Sequence, residues 1–141
     1  MVGLVIATHA RLGHELISAA EMIIGPSERV RSVTVESSMS VDAIRKELGK
    51  AVAEVGADGD GVLIMTDMFG GTPSNLGVAF LDPGKVEMVT GVNLPMVLKC
   101  LNCQEGMPLQ EMAALLRAYG QQSISLVRDL LNPDSDRSKA N

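Results

Sequence analysis

Aromatic residues are scarce in this chain of 141 residues, which has one Tyr, two Phe and no Trp. Aliphatic residues and the nine Met must therefore fill the interior, and a hydrophobic content of 46% suffices for a core without metals or disulfides. The chain also lacks any Lys/Arg cluster, and its net charge is -5. These absences argue against nucleic acids and anionic membranes as partners.

Long apolar runs are missing as well. No run approaches the roughly 20 apolar residues that a membrane helix needs, so we expect no direct membrane insertion. The N-terminal sequence MVGLVIATHA is apolar, but it has no basic region and soon reaches polar residues. We interpret it as a β-strand rather than a signal peptide, which makes the cytoplasm the expected compartment.

Cysteine is limited to one C-x-x-C pair, Cys100 and Cys103. A structural zinc site needs four protein ligands, and no second pair or nearby His supplies the others. A redox motif normally opens a helix just after a strand, whereas this pair falls late in the apolar stretch LPMVLKCLNC. We expect two buried, reduced thiols, with redox chemistry as the alternative.

Short apolar runs alternate with amphipathic stretches along the chain, which predicts βαβ units and a parallel sheet in an α/β fold. The predicted strands cover residues 2–7, 30–35, 61–65 and 86–89, and the alternating pattern of the second places it near an edge. Predicted helix signals include Gly25-Pro26 as a stop, Ser40, Thr72 and Asn93 as N-caps, and Pro73 and Pro108 as openers. The second helix should bury Val41, Ile44, Leu48, Val52 and Val55, and the last should place Leu109, Met112, Ala113, Leu116 and Tyr119 on one face, ending at Gly120.

The C-terminal part is ambiguous. The stretch QQSISLVRDLL fits either a helix or a strand. Residues 132–141 are polar, which predicts a flexible tail after a single domain that covers residues 1–131.

Two polar residues follow neighbouring strands of the predicted sheet. With four βα units, the common small arrangement is 2-1-3-4, and ligands bind beyond the carboxyl ends of the strands where the order reverses. Strand one delivers His9 to that edge and strand three delivers Asp67. Because neighbouring strands lie roughly 4.8 Å apart, the two side chains can meet. A carboxylate on one ring nitrogen would fix the tautomer and leave the other nitrogen as a nucleophile.

The segment after Asp67 has the character of an anion site. Gly70 and Gly71 let the backbone approach a ligand closely. Thr72 offers a hydroxyl, and the amides of Thr72, Ser74 and their neighbours face outward at a helix start. Each feature also has a plainer interpretation: His9 as a surface or capping residue, Asp67 as a turn cap, and the glycine segment as an ordinary connection.

Several segments together resemble the mannose-family EIIA component of the bacterial sugar phosphotransferase system. They are VIATH, AEMIIG, GVLIMTDMFGGTPSN and VTGVNLPM, and the resemblance spans residues 2–127. The D-x-x-G-G-[TS]-P-x-N segment together with G-V-N-x-P carries the specificity. The resemblance implies a doubly wound sheet of order 2-1-3-4, with a further antiparallel edge strand exchanged in a homodimer. That implication favours a strand for QQSISLVRDLL.

The resemblance also implies a function. His9 would accept a phosphoryl group from phospho-HPr and donate it to an EIIB component, with Asp67 as the neighbouring carboxylate and Thr72 near the phosphoryl group. It implies no metal or small cofactor. A role in transport or regulation, and association with a membrane permease complex, follow in the same way. Arg11, Phe69, which stands where relatives often carry Trp, and Asn93 are candidate docking residues for these partners.

Three other functions compete with this one. A phosphocarrier domain of a dihydroxyacetone kinase system would use the same histidine chemistry. An aspartyl-phosphate receiver domain would need acidic residues at the end of strand one, where this chain has Thr8 and His9. A non-catalytic module would bind a small anion at Gly70, Gly71 and Thr72 without becoming labelled.

Overall fold

The computed structural model describes residues 1–103 and 106–132. Within these residues, four strands and six helices follow one another in the order β1 (Gly3–His9), α1 (Leu12–Ile24), β2 (Val30–Val35), α2 (Val41–Val55), β3 (Val62–Thr66), α3 (Thr72–Val78), β4 (Val86–Thr90), α4 (Leu94–Leu101), α5 (Leu109–Gln122) and α6 (Val127–Leu131). The predicted tail begins at the last residue of the second described range, and residues 133–141 lie outside the described residues.

The sheet has the order β2-β1-β3-β4, and all of its pairings are parallel. The predicted order and the edge position of β2 are thereby confirmed. β1 and β3 are the central pair, with Ala7 opposite Thr66 in the register. Their carboxyl ends therefore meet at one edge of the sheet, which is where His9 and Asp67 lie.

Helices cover both faces of the sheet, and the strand sequences show why. Leu4 and Ile6 of β1 pack on the side of α1, α4 and α5, whereas Val5 and Ala7 pack on the side of α2. Side chains alternate between the faces of a strand, so a strand that is covered on both sides must be apolar throughout. The continuous apolar run at the N-terminus is thus explained by burial on two sides.

Short-range sequence signals, such as N-cap side chains, determine where most of the helices begin or end. The Ser40 hydroxyl accepts a hydrogen bond from the N–H of Ala43, and the Asn93 side chain accepts one from the N–H of Met96. Two of the three predicted N-caps, Ser40 and Asn93, are thereby confirmed. Val41, which was expected in the buried stripe of α2, is instead 51% exposed because it lies in the first turn, beyond the sheet contact.

Helix α5 also departs from its predicted face. Tyr119 is partly exposed, with the Lys99 ammonium 5.3 Å from its ring centroid, and Gly120 is the buried residue. Within residues 1–103 and 106–132, no helix has both the length and the apolar character needed to cross a membrane.

The C-terminal strand expected from the resemblance is absent from the described part of this single chain. Residues Val127–Leu131 form the short helix α6 instead, and the N–H of Asp129 donates to the carbonyl of Leu126. A strand needs a neighbour to satisfy its backbone groups, whereas one helical turn satisfies some of them locally. The strand interpretation is therefore corrected for the isolated chain, and exchange in a dimer stays a prediction.

Candidate functional site

His9 ends β1, and its side chain is 49% exposed. The chain turns sharply after it, because Ala10 adopts φ 51, a left-handed conformation that is uncommon for a residue with a side chain. The N–H of Ala10 donates to the carbonyl of Val35 on β2, which ties this turn to the sheet. The strained corner thus presents the imidazole at the edge of the sheet while its backbone stays anchored.

Asp67 meets His9 as predicted. Its Oδ2 lies 2.8 Å from His9 Nδ1 and also accepts the backbone N–H of His9 at 3.0 Å. Its Oδ1 accepts the backbone N–H of Met68 at 3.1 Å. Both carboxylate oxygens are therefore occupied, and the side chain of Asp67 is only 14% exposed.

The electrostatics of this pair define the proton positions. Burial acts to raise the pKa of Asp67, but hydrogen bonds from the His9 side chain and backbone, aided by the charge of His9, outweigh it and hold this pKa below its usual value. Asp67 is therefore ionised at neutral pH, and an ionised carboxylate only accepts hydrogen bonds. Consequently Nδ1 of His9 carries the proton, and in the neutral ring Nε2 bears the lone pair.

The glycine segment lies beside the imidazole. A Cβ on Gly71 would be 2.6 Å from Cε1 and 3.1 Å from Nε2 of His9. The Ser74 hydroxyl accepts the N–H of Gly70 at 2.9 Å and donates to the carbonyl of Gly71 at 3.2 Å. Ser74 is fully buried, so its side chain braces this segment from within.

Helix α3 begins one residue earlier than predicted. Gly71, in an extended conformation, is its N-cap, and the N–H of Asn75 donates to the carbonyl of Gly71. Thr72 is the first helical residue rather than the cap, because the close approach to His9 requires a residue without a side chain at the preceding position. Within the described residues, the amides of Gly71, Thr72 and Ser74 make no hydrogen bond.

The other predicted site residues lie at different distances from the pair. Phe69 is 77% exposed two residues after Asp67, so it is a surface residue and not a lid on the core. Arg11 is exposed and makes a long contact of 3.9 Å with Glu15 in the first turn of α1. The Asn93 side chain caps α4 through its oxygen and donates to the carbonyl of Gly120 through its nitrogen. Both polar atoms of this side chain are therefore bonded within the chain.

Sequence reasoning missed one positioning residue. Thr8, fully buried just before His9, accepts the N–H of Gly13 at 2.7 Å, which satisfies an amide at the start of α1 that Arg11 does not cap. Helix α1 is thereby fixed to the end of β1. In the sequence, the only indication of this role is that Thr8 ends an apolar run. Its hydrogen-bond partner, the N–H of Gly13 five residues later, can be identified only from the conformation of the turn between them.

The cysteines are free and buried, as predicted. Burial, with a smaller contribution from Cys103, raises the pKa of the Cys100 thiol to about 12. A thiol with this pKa is a poor nucleophile. In the described part of the chain, no group of three or more His, Cys, Asp and Glu is arranged to hold a metal ion.

Comparison with known proteins agrees with this fold. A solved structure from Streptococcus pneumoniae, the PTS IIA protein associated with the fucose utilization operon, is 25% identical with a TM-score of 0.80, over 94% of this chain and 100% of that one. Phosphotransferase system component EIIA from Streptococcus agalactiae has a TM-score of 0.79 at 23% identity, over 91% of this chain and 98% of that one, which shows the shared fold.

Curated relatives have similar names. The fructose-specific EIIA component of Bacillus subtilis is 26% identical, over 93% of this chain and 90% of that protein. The mannose-specific EIIAB component of Escherichia coli K12 is also 26% identical, over 90% of this chain but 40% of that protein. The model of the EIIA-man family, described as PTS system fructose IIA component, matches residues 3–116. The chain therefore belongs to the EIIA-man family of phosphotransferase system components.

Proposed function

We propose that His9 accepts a phosphoryl group from phospho-HPr through Nε2 and donates it to an EIIB component. The observation that carries this proposal is the 2.8 Å contact between His9 Nδ1 and Asp67, which leaves Nε2 as the nitrogen with a lone pair. In the transfer, a new N–P bond forms at Nε2 as the N–P bond of the donor's phosphohistidine breaks. Asp67 stabilises the positive charge that the ring gains on attack.

The glycine segment supports this proposal. Gly71 lies beside the Cε1–Nε2 edge of the ring, and the unused amides of Gly71 and of Thr72, the next residue, are donors for phosphoryl oxygens. The exposed Thr72 hydroxyl is a further donor at the same place. Ser74, predicted as a phosphate-binding residue, contributes by holding the segment in place, because the residue is fully buried and its hydroxyl is bonded to Gly70 and Gly71.

Partner docking is proposed around the exposed side chains next to the site. Phe69 and Met68 are 77% and 54% exposed, and Leu12, across the site on α1, is 48% exposed. Exposed apolar groups of this kind mark protein interaction surfaces when they cluster. Arg11 lies beside Leu12 and provides a cation for a partner or for the incoming phosphoryl group.

A homodimer is proposed from the C-terminal segment. Five apolar residues there are more than half exposed: Ile124, Leu126, Val127, Leu130 and Leu131. β4 pairs with β3 on one side, and within the described residues its other edge has no strand partner. A groove of about 520 Å³ runs between β4 and α5. Pairing of this edge with the C-terminal segment of a second copy would cover both features.

The test is reconstitution of the phosphoryl relay. The chain is incubated with phosphoenolpyruvate, Enzyme I and HPr, and the modified residue is mapped by mass spectrometry. We expect one phosphoryl group on His9 that is labile in acid and stable in alkali, and no labelling when HPr is omitted. Phosphate binding without covalent labelling would favour an anion-binding module, and an acid-stable product on another residue would refute the proposal.

A further inference from the structure

Two adjacent glycines precede α3, and they are glycines for different physical reasons. Gly70 has φ +92, a conformation that L side chains rarely adopt, but a Cβ there would meet nothing within 4 Å. Gly71 has φ -86 and ψ 172, which any residue adopts. Backbone conformation therefore explains Gly70 and does not explain Gly71.

Space explains Gly71. Its Cβ would come within 2.6 Å of Cε1 and 3.1 Å of Nε2 of His9, which is too close for non-bonded atoms. A flexible side chain would simply move away from such a contact. The imidazole of His9 is instead held by Asp67 at Nδ1, the ring atom bonded to Cε1, so it cannot move away from a new side chain and keep the 2.8 Å contact at Nδ1.

Gly71 is itself immobilised. Its carbonyl accepts hydrogen bonds from the buried Ser74 hydroxyl at 3.2 Å and from the N–H of Asn75 at 2.9 Å. The preceding amide, that of Gly70, is bonded to the same hydroxyl at 2.9 Å. Because the first turn of α3 fixes the segment in this way, Gly71 cannot retreat from the ring either.

We propose that Gly71 is a positioning residue that acts through His9 and sets the orientation of the imidazole. Asp67 holds the Nδ1 edge of the ring, and the bare Cα of Gly71 lies against the Cε1–Nε2 edge. These two contacts at adjoining ring atoms fix the orientation of the ring, with Nδ1 protonated and Nε2 bearing the lone pair. The expected effect on the rate of phosphoryl transfer rests on the proposed function, whereas the expected effect on the orientation of the ring does not.

The experiment compares Gly71→Ala with Gly49→Ala. Gly49 lies inside α2, and a Cβ there would make an ordinary contact with the Phe80 ring at 3.5 Å. Nitrogen-15 NMR of the imidazole, at a pH where the ring is neutral, reports which nitrogen carries the proton. We expect Gly71→Ala to move the two ring signals toward a mixture of tautomers and to slow phosphoryl acceptance about 100-fold, the scale of an error of 1 Å in placement. We expect Gly49→Ala to match the wild type in both measurements.

A double-mutant cycle separates this role from a general packing defect. Gly71→Ala should lower the midpoint of thermal unfolding in the wild-type background and leave it unchanged in the His9→Ala background, since the ring is then absent. If Gly71→Ala does not fold, the double variant should fold. Unchanged ring signals, or an equal loss of stability in both backgrounds, would overturn the proposal. If the wild type accepts no phosphoryl group, the proposed function fails and the NMR comparison still decides the role of Gly71.

Discussion

One oxygen of Asp67 binds His9 twice: Oδ2 accepts the backbone N–H at 3.0 Å and contacts Nδ1 of the ring at 2.8 Å. The backbone bond ties the loop after β3 to the end of β1, and the ring bond selects the tautomer. The same carboxylate thus contributes to the fold and, in the proposed function, to the chemistry. Its two contributions can be separated, because only the ring bond depends on the side chain of His9.

His9→Ala tests the assignment of the nucleophile. We expect phosphoryl acceptance from HPr to be abolished, with the free energy of unfolding changed by no more than about 1 kcal/mol, because the side chain is half exposed and loses one hydrogen bond. Transfer is measured with labelled phosphoenolpyruvate, and stability by denaturant unfolding. His14→Ala is the matched control, since His14 is exposed on α1 and is the only other histidine. Wild-type labelling of His9→Ala would show that another residue is the acceptor.

Asp67→Asn tests the role of the carboxylate. An amide keeps the shape but loses the charge, so it no longer favours the Nδ1–H tautomer or stabilises positive charge on the ring. We expect a transfer rate lower by about 10- to 1,000-fold, with His9 still the labelled residue. The control is Asp42→Asn, which removes an exposed carboxylate that pairs with Arg45 on α2. An unchanged rate would make Asp67 a purely structural residue.

The pH dependence of stability follows from the lowered pKa of Asp67. A carboxyl group with a lower pKa in the folded state stabilises the fold above its unfolded pKa of about 3.9, and this contribution is lost as the pH falls through the folded pKa. The difference in unfolding free energy between the wild type and Asp67→Asn should therefore be largest above about pH 5 and shrink on further acidification. Denaturant unfolding at several pH values measures it. A difference that grows toward low pH would contradict the assignment.

Ser74→Ala tests the brace of the glycine segment. The substitution removes the hydroxyl that accepts the N–H of Gly70 and donates to the carbonyl of Gly71. The Ser74 side chain is fully buried. We expect the free energy of unfolding to fall by about 1 kcal/mol, the net contribution of a typical hydrogen bond, because the exposed Gly70 can bond to water instead. Ser18→Ala, at an exposed position of α1, is the control. Equal stability of the two variants would show that the hydroxyl is dispensable.

The meeting of His9 and Asp67 could be predicted because it depends on the order of the strands. The apolar runs of β1 and β3 indicate strands that are buried on both faces, and the 2-1-3-4 order makes them neighbours. The polar residues after each run then have to lie at the same edge. No side-chain detail is needed for that inference, which is why it succeeded.

The details of the glycine segment could not be predicted in the same way. Thr72 is a good N-cap by residue type, yet Gly71 takes that position because the imidazole of His9 leaves no room for a Cβ. Ser74 has a hydroxyl suited to phosphate, yet the turn buries it against Gly70. Both outcomes depend on contacts between separate elements, which local sequence patterns do not encode.

The proposed dimer would matter most for the structure of the C-terminal segment. Ile124, at 81% exposed, and Leu126, at 67%, lie outside any strand or helix, and the apolar residues of α6 are equally uncovered. Local patterns fit a helix or a strand there, and a second copy would decide between them. We expect the wild type to be a dimer by light scattering after gel filtration.

Ile124→Asp combined with Leu126→Asp should convert that dimer to a monomer, because each charge would have to lose its hydration in the interface. Met22→Asp is the control: Met22 is 89% exposed on α1, so the change is of the same kind on a different surface. The mass of this control should stay that of the wild type. A wild-type monomer, or a double variant that keeps the dimer mass, would show that the apolar C-terminal residues and the free edge of β4 do not pair between copies.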